Sequence, residues 1–314
     1  MTCNFPSIAF TVSNIKTNTG KNKVFFIGSY ADNYKENPIG KFKDSKGNEI
    51  HRFLLPCGKC NGCKLDRAKS WALRCMHELK FHKDSCWLTL TYNDDRLPIH
   101  NGHSVLCRSD LQKFIKRLRK DGHSFKYFGC GEYGDTTGRS HYHLILFGFK
   151  PDDLKPYKLS REGFQLYNSD YLEKKWKNGF VVVADVTFDT AGYTARYSMK
   201  KHFKTEIINP NELEFKPFLC MSTKPAIGKE YYETYGQNIF ENDKVVYYKF
   251  GEKYESKPPR YYQKLLEKDN PALLDKLKQN RLERATVLPY DRLYSKEVIL
   301  NQKLNKFKKR NVEE

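Results

Sequence analysis

Three short runs of this chain carry side chains that can act on a phosphate. The first is His141-Tyr142-His143. On a strand, residues i and i+2 point to one face, so the two imidazoles would stand side by side as metal ligands. The second is Tyr193-Thr194-Ala195-Arg196-Tyr197. On a helix, residues i and i+4 share a face, so both phenols would be offered to one point. The third holds Glu132, upstream of the histidines. If the strand ending at Glu132 turns back into the strand that starts at His141, the carboxylate faces the first imidazole across the ladder. Two imidazoles and a carboxylate leave positions open for phosphate oxygens, and such nitrogen and oxygen donors suit Mg2+ or Mn2+. A polarised phosphodiester beside two phenols can be cut, with one end kept on the protein.

A free phenol has a pKa of about 10, so attack needs its proton removed or its charge countered. Arg196, Lys200 and Lys201 fall within about a turn of the tyrosines, and either lysine would share the face of Tyr197. Alone, each pair is weak. An isolated His-x-His is more often two ordinary strand residues, and an isolated Tyr-x-x-x-Tyr is more often a helix face packed on a sheet. The order Glu132, His pair, Tyr pair, lysines is what argues for a single site. His77, His82, His103, His123 and His202 show no partner pattern and read as structural or exposed.

A histidine pair on a strand followed by Tyr-x-x-x-Tyr on a helix resembles the HUH endonucleases that start rolling-circle replication. The two-tyrosine form resembles the initiators of small single-stranded DNA phages, and residues 193–201 resemble the nicking motif of the microvirus initiators. The run Pro56-Cys57-Gly58-Lys59-Cys60-Asn61-Gly62-Cys63, with Leu65-Asp66-Arg67 after it, is similar to the gokushovirus branch. Gly131-Glu132-Tyr133-Gly134 also resembles the acidic-ligand segment of related initiators. The motifs span residues 54–204. The resemblance implies nicking of single-stranded origin DNA through a 5′-phosphotyrosine intermediate, a free 3′-hydroxyl primer, and rejoining to release circles. A plasmid relaxase or single-strand transposase shares the same parts. A non-enzymatic single-strand-binding protein fits the composition but leaves the motif order unexplained, and an unrelated His-x-His metallohydrolase leaves the tyrosines unused.

The elements that must position these residues follow from periodicity. Residues 66–80 have helical apolar spacing, and 86–92 alternate as a strand. Ser109 or Asp110 should cap a helix reaching residue 120, with Leu111, Phe114, Ile115 and Leu118 inward. Lys113, Lys116, Arg117, Arg119 and Lys120 then form a basic outer face suited to DNA. Strands are expected at 125–132, 141–149 and 180–186, with a turn at 134–140, a polar insertion at 151–179 that is helical near 169–177, and a helix over 193–201. The expected architecture is α+β, a central antiparallel sheet of HUH type flanked by helices. Residues 1–55 read as a polar N-terminal extension with one strand at 24–27. Residues 56–204 read as the endonuclease core. Residues 205–314 read as a polar C-terminal region for DNA binding, helical near 273–284 and basic at 303–310.

The bulk properties agree. A formal charge of +19 favours a polyanionic partner, and 21 Tyr with 21 Phe supply rings on which unstacked bases could lie, although most rings are expected in the core. No apolar run approaches the length that spans a bilayer, and the start lacks a signal-peptide pattern. No Gly-x-x-x-x-Gly-Lys-Ser/Thr loop is present, so the expected partners beyond origin DNA are a host helicase and the replication polymerase, in the bacterial cytoplasm. Nine cysteines, three of them clustered, argue for thiols or a metal rather than a disulfide framework. Cys57, Cys60 and Cys63 could hold structural Zn2+ with a fourth ligand from Cys75, Cys86, His51 or His77. Free thiols or an iron–sulfur cluster stay open at this point.

Overall fold

Residues 85–91 alternate: Cys86, Leu88 and Leu90 are buried on one side, while Ser85, Trp87, Thr89 and Thr91 are half-buried on the other. Such a strand has both faces in use and belongs at the centre of a sheet. The computed structural model describes residues 3–33, 35–36, 39–134, 137–160, 163–197, 215–249, 251–284, 286 and 288–310, with the side chains of 197, 249 and 305–310 outside that description. In chain order its elements are β1 (Ser7–Lys16), β2 (Asn22–Ser29), α1 (Tyr30–Asn33), β3 (Gly40–Lys43), β4 (Glu49–Leu55), α2 (Asn61–Leu79), β5 (Ser85–Thr91), β6 (Ile99–His100), β7 (His103–Ser104), α3 (Arg108–Lys120), β8 (Lys126–Tyr133), β9 (Ser140–Phe147), β10 (Lys155–Leu159), β11 (Gln165–Asn168), α4 (Asp170–Trp176), β12 (Val181–Ala184), α5 (Phe188–Tyr197), β13 (Phe218–Met221), α6 (Lys229–Glu241), β14 (Val245–Lys249), β15 (Glu252–Ser256), α7 (Arg260–Asp269), α8 (Pro271–Glu283) and α9 (Tyr290–Arg310). The chain divides into two compact units, Met1–Arg67 with Arg284–Glu314, and Ala68–Glu283.

The larger unit is built on a seven-stranded sheet ordered β10-β11-β12-β5-β9-β8-β13, antiparallel at every pairing. The expected α+β class is therefore what the chain adopts. Leu88, Leu90, Tyr142, Leu144 and Leu146 point to one face, where Leu111, Phe114, Ile115 and Leu118 of α3 and Leu172 and Trp176 of α4 cover them. Phe128, Ile145 and Phe147 point to the other, under Ala68, Ala72 and Cys75 of α2 and Ala191 and Ala195 of α5. Small alanines let those helices lie close on the large rings. Beyond this sheet, α6, α7, α8 and the β14–β15 hairpin close a further apolar cluster around Tyr232, Phe240, Tyr262 and Leu266.

Several expectations shift. The insertion 151–179 is not only helical: β10 and β11 extend the sheet edge before α4, whose Ser169 accepts a capping bond from the Leu172 amide. Neither Ser109 nor Asp110 caps α3. They lie in its first turn after Cys107, and Asp110 instead accepts a hydrogen bond from Tyr92 Oη at 2.9 Å. The tyrosine helix starts at Phe188, where Thr187 and Thr190 cap each other: Thr190 N donates to Thr187 Oγ1 and Thr187 N donates to Thr190 Oγ1. Its expected end at 201 lies outside the described residues. Phe218–Met221, far along the chain, pairs with β8 as the last strand of the central sheet.

In the smaller unit, the single strand expected at 24–27 is one of four, ordered β2-β1-β4-β3 and antiparallel throughout. Asn and Lys interrupt its alternation because much of the sheet stays exposed. Leu293 of α9 joins Ile8 and Tyr30 in its core. Among the described residues, no helix is long and apolar enough to cross a membrane.

Candidate active site

Period two along β9 separates two jobs. Tyr142, Leu144 and Leu146 fill the α3 side, so His141 and His143 must face the α5 side with Ile145 and Phe147. Register supplies the third residue. Glu132 on β8 lies directly opposite His141, and Thr89 on β5 lies directly opposite His143. The close approach of β8 also needs glycine: a Cβ on Gly131 would meet the Phe218 ring at 2.7 Å, and one on Gly129 would meet His143 O at 2.8 Å.

The three side chains converge on one oxygen. Oε1 of Glu132 is 2.9 Å from Nε2 of His141 and 2.8 Å from Nε2 of His143. Glu132 and His143 are almost fully buried, while His141 is partly open. The outer nitrogens are already engaged. His141 Nδ1 lies 3.1 Å from the Arg139 carbonyl oxygen, and His143 Nδ1 lies 3.1 Å from Thr89 Oγ1. The partners on Nδ1 aim both Nε2 atoms inward. One ligand atom from each residue falls within 4.8 Å of the others, so the donor set fits a single divalent cation.

Above this cluster sits α5. The Trp87 ring stacks on His143 at 4.9 Å and 13°, and its Nε1 donates to Thr194 Oγ1 at 3.0 Å. Tyr193 meets the same histidine edge-on, with centroids 5.0 Å apart at 85°, and meets Trp87 edge-on at 6.2 Å. Tyr193 and the imidazoles therefore share one face of the sheet. Tyr197 is in the same helix with its side chain outside the described residues, as Lys200 and Lys201 are entirely; Arg196 is exposed in the last turn. Tyr142 points the other way. Its hydroxyl donates to Cys107 O at 2.9 Å and accepts from Cys107 N at 2.8 Å, and burial holds its phenol far above the ordinary range. Trp87, Thr89 and Thr194 were not among the residues singled out on the sequence. The alternation of residues 85–91 was the available signal, since it put Trp87 and Thr89 on one face.

The family model for the replication-associated protein ORF2 matches residues 85–202, the stretch from β5 through α5 that holds this whole constellation. The chain is 34% identical over 232 residues to the replication-associated protein VP4 of Bdellovibrio phage phiMH2K, covering 71% of this chain and 70% of that one. It is 31% identical to the replication-associated protein ORF2 of Spiroplasma virus 4, covering 79% of each. The chain belongs to the phage replication-associated protein family. A third member, ORF4 of Chlamydia phage 1, is 32% identical over 69% of this chain and 54% of its own length. The resemblance to gokushovirus-type initiators drawn from the motifs is borne out by these relatives, and a role in phage DNA replication comes with the family. No solved structure matches the chain.

Other expected site residues in this family member stand apart from the cluster. The basic helix α3 lies against the opposite face of the sheet, so Lys113, Lys116, Arg117 and Lys120 do not converge on the histidines. Lys116 and Lys120 are exposed, Lys113 pairs with Asp110 at 3.4 Å, and Arg117 is used structurally: Nη1 donates to the carbonyls of Lys175 and Trp176 at the end of α4. Cys57, Cys60 and Cys63 lie in the smaller unit, together with a residue not considered for the fourth place, Cys3. Of the four candidates named for that place, Cys75 and Cys86 are buried in the two faces of the large sheet, and His77 bonds to Tyr262 Oη at 2.8 Å. His51 is on β4 and is not part of the thiol cluster.

Proposed function

We propose that the chain nicks single-stranded viral origin DNA and rejoins it through a phosphotyrosine. One observation carries the reading: the Tyr193 ring lies against His143, on the sheet face where Glu132, His141 and His143 converge. Glu132, His141 and His143 would hold the cation. A Mg2+ or Mn2+ ion bound there would draw charge from the non-bridging oxygens of the target phosphodiester.

The remaining work belongs to the protein's own side chains. A phenol oxygen of Tyr193 or Tyr197 forms a bond to phosphorus while the bond from phosphorus to the 3′ oxygen breaks. The phenol gives up its proton, and the departing 3′ oxygen gains one. A 5′-phosphotyrosine and a free 3′-hydroxyl result, so one ester replaces another and resealing needs no ATP. Arg196, Lys200 and Lys201 are proposed to counter the developing charge. With two phenols, one keeps the old 5′ end while the other cuts the regenerated origin, and the freed hydroxyl then closes the circle. The +19 charge supports binding to the strand's phosphates, while unwinding and synthesis would fall to a host helicase and the replication polymerase in the bacterial cytoplasm.

The test is adduct formation. Labelled origin single strand is incubated with protein and Mn2+, then denatured and resolved. Wild type should carry DNA, single Tyr193→Phe and Tyr197→Phe variants should carry less, and the double variant none. Chelation should abolish the adduct. DNA still attached to the double variant would sink the reading.

A further inference from the structure

We infer that Cys3, Cys57, Cys60 and Cys63 bind one structural zinc ion, which fastens the start of the chain to the head of α2. The inference is independent of the nicking reading. The four Sγ atoms lie within 4.8 Å of one another. A tetrahedral Zn–S shell of about 2.3 Å places its sulfurs about 3.8 Å apart, and Cys3 Sγ to Cys60 Sγ is 3.8 Å. None of the four forms a disulfide.

The surroundings suit thiolates. Backbone amides point at sulfur throughout: Cys57 N donates to Cys3 Sγ at 3.2 Å, Lys59 N and Cys60 N to Cys57 Sγ at 3.4 and 3.3 Å, and Cys63 N to Cys60 Sγ at 3.4 Å. Such donors spread negative charge and orient metal ligands. Gly58 takes φ +70°, the left-handed conformation that lets Cys57 and Cys60 turn to one point. Cys60 immediately precedes α2 and Cys63 is in its first turn, where the helix end favours anions. Cys3, Cys60 and Cys63 are at most 9% exposed, and the cluster they form with Cys57 contains no aliphatic side chain. Four sulfurs buried only against one another leave a gap that packing does not fill and a cation does. Separations this short suit one ion, since sulfurs on different irons of a cluster stand further apart.

The geometry also gives the site a job. Closing Cys3 on Cys57 encloses β1 to β4 in a single loop. The neighbours on both sides of the ion then grip α9: Asn4 Nδ2 donates to Glu297 Oε2 at 2.7 Å, and Asn61 N donates to Glu297 Oε1 at 3.3 Å. Glu297 is 6% exposed, so this carboxylate is held where only those partners fix it in place. One ion would thereby position the first strand, the head of α2 and the last helix of the smaller unit.

The full chain, purified with zinc and washed with EDTA, is assayed for metal by mass spectrometry of the elements. About one zinc per chain is expected, retained in His141→Ala, which separates this site from the histidine cluster, and retained in Cys75→Ser and Cys86→Ser. It should be lost from Cys60→Ser and Cys3→Ser. Because a thiol variant can misfold, cobalt is also substituted into wild type: four thiolates give an intense sulfur-to-cobalt absorption band with tetrahedral d–d bands. Zinc undiminished in Cys3→Ser removes Cys3 from the site. Metal-free wild type whose four thiols react freely, or whose intact mass shows disulfides, overturns the inference.

Discussion

Thr89 is a small residue with a defined task at the histidine cluster. Its hydroxyl meets Nδ1 of His143 and leaves Nε2 facing Glu132. Loss of such an outer partner typically weakens metal affinity roughly 10- to 100-fold. Thr89→Val keeps the shape and removes the bond, so Mn2+ affinity measured by titration should fall by that order while the fold is kept. Unchanged affinity would show that the strand alone orients the ring. Glu132, His141 and His143 were all readable in the sequence because they follow from two simple periods and a hairpin. Cys3 was not. Its partners begin at Cys57, and no local spacing joins residues so far apart in the chain.

The helix α5 reaches the sheet through Trp87, whose indole both stacks on His143 and donates to Thr194. Trp87→Phe preserves a ring over the histidine and deletes the donor. Thr194 then keeps its bond to the Thr190 carbonyl at 2.9 Å, so no hydroxyl is orphaned. The stability cost should be about 1 kcal/mol. Single-turnover cleavage should slow by about tenfold if that bond sets the tyrosine's approach, with single-strand binding unchanged. A cleavage rate equal to wild type would mean that alanine packing alone seats the helix. At this level the sequence was partly legible. Strands with clean alternation were placed within a residue or two, whereas β1, β3 and β4 were hidden by polar residues on exposed faces. β13 was hidden for a different reason: its four residues carry meaning only beside β8, a neighbour that sequence order does not suggest. The basic stripe of α3 was read correctly as an outer face, but periodicity cannot say on which side of a sheet a helix will lie.

Taken whole, the larger unit has an acid-sensitive joint. His77 of α2 is buried, bonded to Tyr262 and stacked on Tyr231 at 3.7 Å, and burial, with Lys80 nearby, pushes its pKa from 6.5 down to about 3. The folded form therefore refuses a proton that the unfolded chain accepts. The stability tied to this neutral imidazole is complete above pH 6.5 and is lost as pH falls toward 3, with a slope of up to about 1.4 kcal/mol per pH unit. Denaturant unfolding across that range should show a shallower acid decline in His77→Gln than in wild type. Parallel curves would place the acid sensitivity elsewhere. The seven-stranded sheet has one further property at molecular scale. Its outermost strand, β10, is exposed along its length, carries Lys155, Pro156 and Lys158, and slips register between Pro156 and Lys158. Proline cannot donate to a ladder and lysines repel a copy of themselves. Proteins crowded along one viral strand are thereby denied a flat border on which to zip together, so a high local concentration need not end in aggregation.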